Sequence, residues 1–451
     1  MREATDGGRL QHPASSIQPL PCVTVIGGGL AGCAAALLAA ERGARVTLCE
    51  QRPDRSTELH DTGLLAELVG SNVLTADSPE RATGLLKLEL RELGCRILDC
   101  AERARLSDAQ LAVDRAAFAQ AVGDAVDRHP AIEVRREAVE QLPRKGIVIL
   151  ATGPTTWSPL ARAIHRAAGE PFEFAFLGRS PVVGAHGIDE GRACWAPPYP
   201  GAEPVLFVPL SEGDFSELVR RLSEGERIEP PGAGDAELAD EAEPVERLVR
   251  ADPTRFRHRV LRLPRDIEEL SGEYAALRLR PDDSERHSYQ VEEFVTALTP
   301  EAQEYALRAA GGLAEVTVER PALVARVPYL PRPRALLPTL QMARTPRLLV
   351  AGLLAGALGY LEALATGCIA GISAARLARG EQPVVPPAET MTGGLCKALT
   401  DRQAEGQLPV SASFGLLPEA RAPEDEAKSD RRARQVKTAL AAMKQFAADT
   451  E

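Results

Sequence analysis

Three glycines and a carboxylate have the spacing of a dinucleotide-binding turn. Gly27, Gly29 and Gly32 follow a β-branched segment predicted to be a strand and open an Ala-rich segment predicted to be a helix. In such a turn the first glycine permits a tight bend, the second admits a pyrophosphate, and the third allows close helix–strand packing. A carboxylate at the end of the next strand accepts hydrogen bonds from ribose hydroxyls. The predicted contacts here are Gly27, Gly28, Gly29, Leu30, Ala31, Gly32 and Glu50.

Two later turns supply the further contacts that a flavin dinucleotide needs. Residues 151–153 follow a predicted strand at 146–150, and Gly352 lies at the end of a predicted strand at 348–351. Such turns are typical second and third contacts of FAD-binding proteins, although an ordinary turn glycine explains each one alone equally well. FAD is therefore favoured over NAD, with Thr152, Gly153 and Gly352 as further predicted contacts.

Apolar periodicity predicts the elements that position these turns. Further strands are expected at 23–26, 45–49, 97–99, 110–113 and 132–134, and helices at 31–42, 81–93, 116–127 and 428–448. Residues 155–335 are less periodic and contain two proline-rich segments. The expected fold class is α/β, a Rossmann-like FAD-binding domain built from N- and C-terminal parts with an inserted α+β substrate domain.

The domain boundaries follow from this pattern. The FAD-binding parts are expected at 21–154 and 336–420, on either side of an inserted substrate domain at 155–335. Residues 1–20 are expected to be a disordered extension and 421–451 a helical tail. Residues 223–246 are acidic and rich in glycine and proline, which predicts a mobile surface loop.

Composition excludes several classes of protein. With 451 residues, 44% of them hydrophobic, the chain is not disordered as a whole, and a net charge of −11 repels nucleic acid. Eight cysteines without a CxxC pair or zinc-ligand spacing indicate reduced thiols in a cytoplasmic protein, and the histidines form no metal-ligand pattern. The apolar run at 348–375 contains five glycines and Glu362, so a strand, loop and helix are predicted there rather than a membrane span.

Local basic segments are the remaining candidates for RNA contact. One comprises residues 255–259 with Arg262 and Arg265, and the other Arg326, Tyr329, Arg332 and Arg334. Phe256 or Tyr329 could stack on a base, but a solvated strand face explains both segments almost as well.

Motifs along most of the chain resemble the TrmFO family, FAD- and folate-dependent tRNA uracil-5-methyltransferases related to GidA. The resemblance implies transfer of a methylene group from methylenetetrahydrofolate to carbon 5 of the T-loop uridine of tRNA, with NAD(P)H as reductant. The matching segments are VIGGGLAGCAAA, AELVGSNVL at 66–74, GLLKLELR at 84–91, LAVDR at 111–115, ATGP at 151–154, YAALRLRPDD at 274–283, GYLEALATGCIAG at 359–371 and FGLLP at 414–418.

The residues that the resemblance makes catalytic are absent. Family chemistry implies that one thiolate adds to carbon 6 of uracil and that a second cysteine assists proton removal. Their places fall on Gly70 and Ala242, and no cysteine occurs between Cys194 and Cys368. The family's Gly-Gln-x-Thr-Gly-x-Glu-Gly-Tyr run appears as GLLAGALGY at 352–360, without its amide, hydroxyl and carboxylate. The family also carries a histidine at the place of His60, just upstream of AELVG, which implies that His60 lies near the flavin; an ordinary loop histidine explains it equally well.

No other thiol is an obvious substitute, and the catalytic residues are unknown. Cys33 and Cys368 are expected to pack inside helices, Cys49 to be buried in a strand, and Cys95 and Cys100 to flank a short strand. Cys194, beside Trp195 in a predicted loop, is the most plausible exposed thiol.

Three hypotheses remain open at this stage. They are an active tRNA methyltransferase, a diverged flavin-dependent oxidoreductase of unknown substrate, and a catalytically silent flavin- or RNA-binding protein. The missing cysteines predict that the chain does not methylate uridine by the two-cysteine route.

Overall fold

A computed structural model describes residues 22–451 except 109, 157, 200–201, 229–242, 265–266, 332–333, 402–408 and 419–426. The predicted extension at 1–20 lies outside the described residues. The strands are β1 Cys22–Ile26, β2 Arg45–Glu50, β3 Val73–Ala76, β4 Gln110–Ala112, β5 Ile132–Arg136, β6 Ile147–Leu150, β7 Glu173–Arg179, β8 Val182–Gly184, β9 Cys194–Ala196, β10 Val205–Leu210, β11 Ala275–Pro281, β12 Ser288–Val291, β13 Val318–Arg320, β14 Leu323–Tyr329, β15 Gln341–Met342 and β16 Thr345–Val350.

The helices alternate with strands in the first part and cluster between strands later. They are α1 Leu30–Glu41, α2 Ala82–Glu92, α3 Arg96–Arg103, α4 Arg115–Asp127, α5 Ser158–Ala168, α6 Glu212–Glu224, α7 Val245–Ala251, α8 Pro253–Arg259, α9 Pro300–Leu307, α10 Tyr360–Ala378, α11 Met391–Ala398 and α12 Lys428–Asp449.

One sheet unites residues from both ends of the chain. Its strand order is β15-β16-β6-β1-β2-β5, and every pairing is parallel except that of β15 with β16. The interior strands are aliphatic because parallel sheets are covered on both faces. Since β16 pairs with β6, the carboxyl ends of β1, β6 and β16 meet at one edge, where the three predicted turns follow.

The long apolar segment forms the core helix α10, which packs on α1. A Cβ atom at Gly367 would lie 2.4 Å from the carbonyl oxygen of Ala31, and one at Gly371 2.6 Å from that of Ala35, so both positions require glycine. By length and composition α10 could cross a membrane, but 78% of its most apolar window is buried inside the protein. Its hydrophobicity is therefore accounted for by packing.

A second, antiparallel sheet has its own hydrophobic core. Its order is β13-β8-β12-β11-β10-β9, and α6 to α9 contribute to the core beneath it. Strands β7 and β14 pair in a separate antiparallel ladder. In the sequence, β7 precedes the strands of the second sheet and β14 follows them. A parallel nucleotide-binding sheet built from both ends of the chain, with an antiparallel α+β unit between them, is the expected fold class.

Two local predictions were wrong. Residues 97–99 belong to α3 rather than to a strand, because Ile97, Leu98, Cys100 and Ala101 are all buried on one side of a helix. The predicted loop at 223–246 begins inside α6 and ends inside α7, and its residues 229–242 lie outside the described part of the chain.

Candidate dinucleotide and substrate site

The glycine turn after β1 has the close approaches that its spacing predicts. Gly27 has φ +106°, and a Cβ atom there would lie 2.3 Å from the carbonyl oxygen of Ala151. A Cβ atom at Gly32, in the first turn of α1, would lie 1.8 Å from the carbonyl oxygen of Gly27. The helix can therefore follow this turn only if residue 32 is glycine. At Gly29, in contrast, an added Cβ meets no protein atom within 4 Å. The turn thus faces open space at the one glycine that should approach a pyrophosphate.

Glu50 is buried beside this turn and fully ordered by hydrogen bonds. Its Oε2 accepts a 2.7 Å bond from the Gly28 amide, and its Oε1 accepts bonds from the Arg52 amide and Nε. Burial alone would raise the pKa of Glu50, but the hydrogen bonds and charge of Arg52 hold it below its usual value. Each carboxylate oxygen accepts two hydrogen bonds. Oε2 therefore still has room for a ribose hydroxyl.

Half of the predicted dinucleotide contacts line one groove. Gly27, Gly29, Glu50, Thr152 and Gly153 line it together. The remaining five are not among its lining residues. Gly28 donates its amide to Glu50, and Leu30, Ala31 and Gly32 form the start of α1. A Cβ atom added at Gly352 would lie 3.0 Å from the Cβ atom of Ala31.

His60 lines the same groove from a loop, so both interpretations of it stay open. Its Nδ1 lies 2.7 Å from the Thr57 hydroxyl. Burial, followed by the charge of Arg52, lowers the pKa of His60 to about 4. The imidazole is therefore neutral near pH 7.

Three arginines donate hydrogen bonds to the chain segment from Leu59 to Gly70. Arg115 and Arg320 both donate to the carbonyl oxygen of Leu68, and Arg179 donates to that of Leu59. Arg115 is also fixed by two hydrogen bonds of 2.8 and 2.9 Å to Asp282. Because these side chains come from distant parts of the sequence, the segment is ordered only in the assembled fold.

Asp61 provides a carboxylate for two of these guanidinium groups. It lies 2.5 Å from Arg320 Nε and 3.5 Å from Arg179 Nη1. Burial and the neighbouring charge of Arg320 lower the pKa of Arg179 to about 10. Arg115, Arg179 and Arg320 thus form a local cluster of positive charge in a chain whose net charge is −11.

Gly70 lies at the end of the segment and contacts a buried phenol. Its amide donates a 2.7 Å hydrogen bond to the Tyr360 hydroxyl, and a Cβ atom at Gly70 would lie 3.1 Å from that oxygen. Burial raises the pKa of Tyr360, although Arg115 opposes the shift. Where the family resemblance places a thiol, this chain has a backbone amide bound to a neutral phenol.

A cavity of about 450 Å³ opens beside Gly70. It is lined by Ser71, Arg179, Arg280, Gln290 and Glu292 among others, and none of its described lining residues is a cysteine. The place of the second expected thiol, Ala242, lies outside the described residues. The cavity contains both hydrogen-bond donors and acceptors, the combination that a nucleobase edge requires.

Most of the described cysteines are poor nucleophiles, because burial raises the pKa of the thiol. Burial raises the pKa of Cys33 to about 12, of Cys49 to about 11 and of Cys396 to about 12. Cys33 and Cys368 are buried in helices and Cys49 in a strand, as predicted. Two predictions were wrong. Cys95 and Cys100 do not flank a strand, because Cys95 is the N-cap residue of α3 and Cys100 lies within that helix. Cys194 is in β9 rather than in a loop.

The predicted base-stacking residues are not available to RNA. Phe256 is 0% exposed in the core with Phe215 and Phe294, and Tyr329 is 3% exposed. In both segments the ring packs in a hydrophobic cluster, while neighbouring arginines remain in solvent. Arg255, Arg262, Arg326 and Arg334 are exposed, whereas Arg265 and Arg332 lie outside the described residues.

Sequence reasoning missed most of the polar network around the site. Arg52 bridges Glu50 and Glu67 while only 2% exposed. Arg115 and Arg280 lie within the LAVDR and YAALRLRPDD segments, so those motifs were the only local signal. In the part of the chain that the structure describes, no group of three metal-ligating side chains occurs.

Comparisons with known proteins agree with this architecture. The family model described as glucose inhibited division protein A matches residues 22–382. Methylenetetrahydrofolate–tRNA-(uracil-5-)-methyltransferase TrmFO of Moorella thermoacetica is 38% identical over 401 residues, covering 88% of this chain and 92% of the relative. The TrmFO of Synechococcus sp. strain JA-3-3Ab is 36% identical over 440 residues, covering 96% and 97%. Aquifex aeolicus GidA in its form II crystal has a TM-score of 0.71 at 18% identity, covering 95% of this chain and 73% of that one.

Proposed function

This chain belongs to the TrmFO family, within the larger family of glucose inhibited division protein A, and we propose that it binds FAD and tRNA but does not methylate uridine by the two-cysteine route. The family is FAD-dependent, and its TrmFO members use methylenetetrahydrofolate and NAD(P)H as substrates. The relatives are named for a reaction on tRNA, which supports tRNA as the partner and the cytoplasm as the location.

The groove beside β1 is suited to the dinucleotide. Gly29 leaves space for the pyrophosphate at the N-terminus of α1, where amides favour phosphate. Glu50 is held ionised with a free acceptor position, and Thr152 and Gly153 line the same groove. Bound FAD supplies the redox chemistry. The residues that line the groove would bind and orient the cofactor, and Arg52 fixes the carboxylate of Glu50 by a hydrogen bond.

The absence of a thiol at Gly70 is the observation that carries the negative part of the proposal. Gly70 offers its amide to Tyr360 and has no side chain to add to carbon 6 of uracil. The buried thiols with raised pKa values provide too little thiolate near pH 7 to replace it. The mixed donors and acceptors of the adjacent cavity nevertheless remain suited to a base.

The decisive experiment measures 5-methyluridine directly. Purified protein is incubated with methylenetetrahydrofolate, NADPH and an unmodified tRNA transcript, and nucleosides are quantified by mass spectrometry. We expect product at the level of the reaction without protein, whereas the Moorella thermoacetica TrmFO in parallel should yield product. Robust, enzyme-dependent 5-methyluridine from this chain would overturn the proposal.

A restored thiol pair provides the matched positive test. Gly70→Cys combined with Ala242→Cys returns both side chains to their expected places, and Gly70→Ala combined with Ala242→Ser is the control without sulfur. Product from the first variant and none from the second would attribute the loss of methylation to the two thiols.

Diverged redox chemistry is a second candidate because the 352–360 segment has lost its polar side chains while keeping its glycine-dependent turns. Gly352, Gly356 and Gly359 all have positive φ values, of 70°, 86° and 127°. Oxidation of NADPH by the FAD-loaded protein without tRNA would support an oxidoreductase of another substrate. A flavin spectrum with no NADPH oxidation under either condition would support a silent binding protein.

A further inference from the structure

An exposed tryptophan and an arginine form a pair at a cavity of the antiparallel sheet. Trp195 in β9 is 42% exposed, and the guanidinium carbon of Arg286 lies 4.5 Å from its ring centroid. Both residues line a cavity of about 310 Å³, together with Gln110 and Ala112 of β4. The pair therefore lies where the inserted sheet meets the first part of the chain.

Arg286 is held over the indole by a tightly bonded turn. Its φ of 57° is unusual for a residue other than glycine. The Asp283 carboxylate fixes this turn by accepting hydrogen bonds from the amides of Glu285, His287 and Ser288 and from the Ser288 hydroxyl. The arginine is thus positioned before any ligand binds.

A buried arginine connects this cavity with the one beside Gly70. Arg280 lines both cavities, and its Nη1 lies 3.4 Å from the Ser71 hydroxyl. Its buried Nε has no hydrogen-bond partner among the residues that the structure describes, although Glu292 pairs with the other end of the guanidinium group. The hydrogen-bonding capacity of Arg280 is therefore not exhausted by the described protein atoms.

The acidic side chains of the cavity are already engaged. Glu203 accepts a 3.0 Å hydrogen bond from the Asp108 amide, and Asp283 is saturated by its own turn. Besides these carboxylates, the cavity presents to a ligand the half-exposed indole of Trp195, the guanidinium plane of Arg286 and the buried Arg280. Unpaired RNA bases are recognised by stacking on such planes together with polar contacts to their edges.

We propose that the Trp195–Arg286 pair stacks an unpaired base of the tRNA loop, next to the nucleotide that enters the cavity beside Ser71. This inference rests on the proposed function, because it assigns a contact to the RNA partner named there. It also replaces Phe256 and Tyr329, which the fold buries, with an aromatic side chain that solvent reaches.

The test measures affinity for an unmodified T-arm hairpin RNA with the full-length, FAD-loaded protein. Trp195→Ala should weaken binding at least about fivefold, the low end of what removal of a stacked ring costs. Trp195→Phe should retain most of the affinity. Because stacking releases no counterions, Trp195→Ala should leave the slope of log K against log salt unchanged.

Tyr305 provides a matched control. It is 52% exposed and has Arg221 at 4.2 Å from its ring centroid, but it lines neither cavity. Tyr305→Ala should therefore bind the hairpin as the parent does. Circular dichroism and flavin content verify that each variant is folded.

Fluorescence supplies an independent measurement, since the chain has two tryptophans. In a Trp157→Phe background the emission comes from Trp195 alone, and the hairpin should quench it. Equal affinity of the parent and Trp195→Ala, or RNA binding without quenching, would overturn the inference and leave the proposed function intact. Failure of the parent to bind any RNA would overturn both. Quenching by NADPH in place of RNA would assign the pair to a dinucleotide instead.

Discussion

The backbone amide of Gly70 donates a 2.7 Å hydrogen bond to the hydroxyl of Tyr360, a residue 290 positions later in the chain. This bond joins the segment after β2 to the first residue of α10. It therefore connects two parts of the chain that are distant in sequence. Gly70, which stands where the family resemblance places a cysteine, is thus also a contact between these parts.

Tyr360→Phe should lower the free energy of unfolding by about 1 kcal/mol, because it leaves the partly buried Gly70 amide without its acceptor. Urea unfolding followed by circular dichroism measures the change. Tyr305→Phe removes an exposed hydroxyl and should have almost no effect. Equal stability of the parent and Tyr360→Phe would show that water replaces the phenol at no cost.

Two alanine substitutions in the glycine turn should separate cofactor binding from folding. Gly29→Ala places a methyl group in open space at a φ of −77°, so the protein should fold normally but lose FAD. Gly32→Ala forces a contact of 1.8 Å with a backbone oxygen and should prevent formation of the turn. Far-UV circular dichroism and flavin absorbance distinguish the outcomes. Full flavin content in Gly29→Ala would contradict the assignment of the pyrophosphate to this position.

Glu50→Gln should weaken FAD binding at least tenfold, roughly the 1.4 kcal/mol lost with one charge-assisted hydrogen bond. The substitution keeps the size of the side chain but removes the charge that Arg52 neutralises. Flavin retained after gel filtration and a fluorescence titration with FAD measure the effect. Glu133→Gln, at an exposed position of the neighbouring β5, is the control and should retain FAD.

His60 should make the protein less stable in mild acid. The pKa of His60 is about 4 in the folded protein against 6.5 ordinarily, so the unfolded chain binds more protons as the pH falls below 6.5. The contribution of neutral His60 to the free energy of unfolding is fully present above pH 6.5 and is lost as the pH falls towards 4. His60→Gln should flatten this part of the profile, measured as urea midpoints from pH 7.5 to 4.5. The exposed His165→Gln should follow the parent, and parallel profiles for all three proteins would refute the prediction.

Local sequence patterns predicted the parallel sheet and the glycine turn well, because both depend on spacing within one β-α-β unit. A three-residue apolar run such as 97–99 contains too little periodicity to distinguish a strand from the helix that forms there. The convergence of Arg115, Arg179 and Arg320 depends on contacts between distant segments, which no local pattern encodes. For the same reason the motif containing Phe256 suggested a surface, while the tertiary fold buries its ring.

The segment between His60 and Gly70 touches the glycine turn and the arginine cluster at once. The Ala66 amide donates a 2.8 Å hydrogen bond to the carbonyl oxygen of Gly28, and two residues later Leu68 accepts bonds from Arg115 and Arg320. Any coupling between occupancy of the groove and occupancy of the neighbouring cavity would therefore pass through this segment. By thermodynamic reciprocity, whatever factor FAD adds to the affinity for RNA, RNA must add to the affinity for FAD.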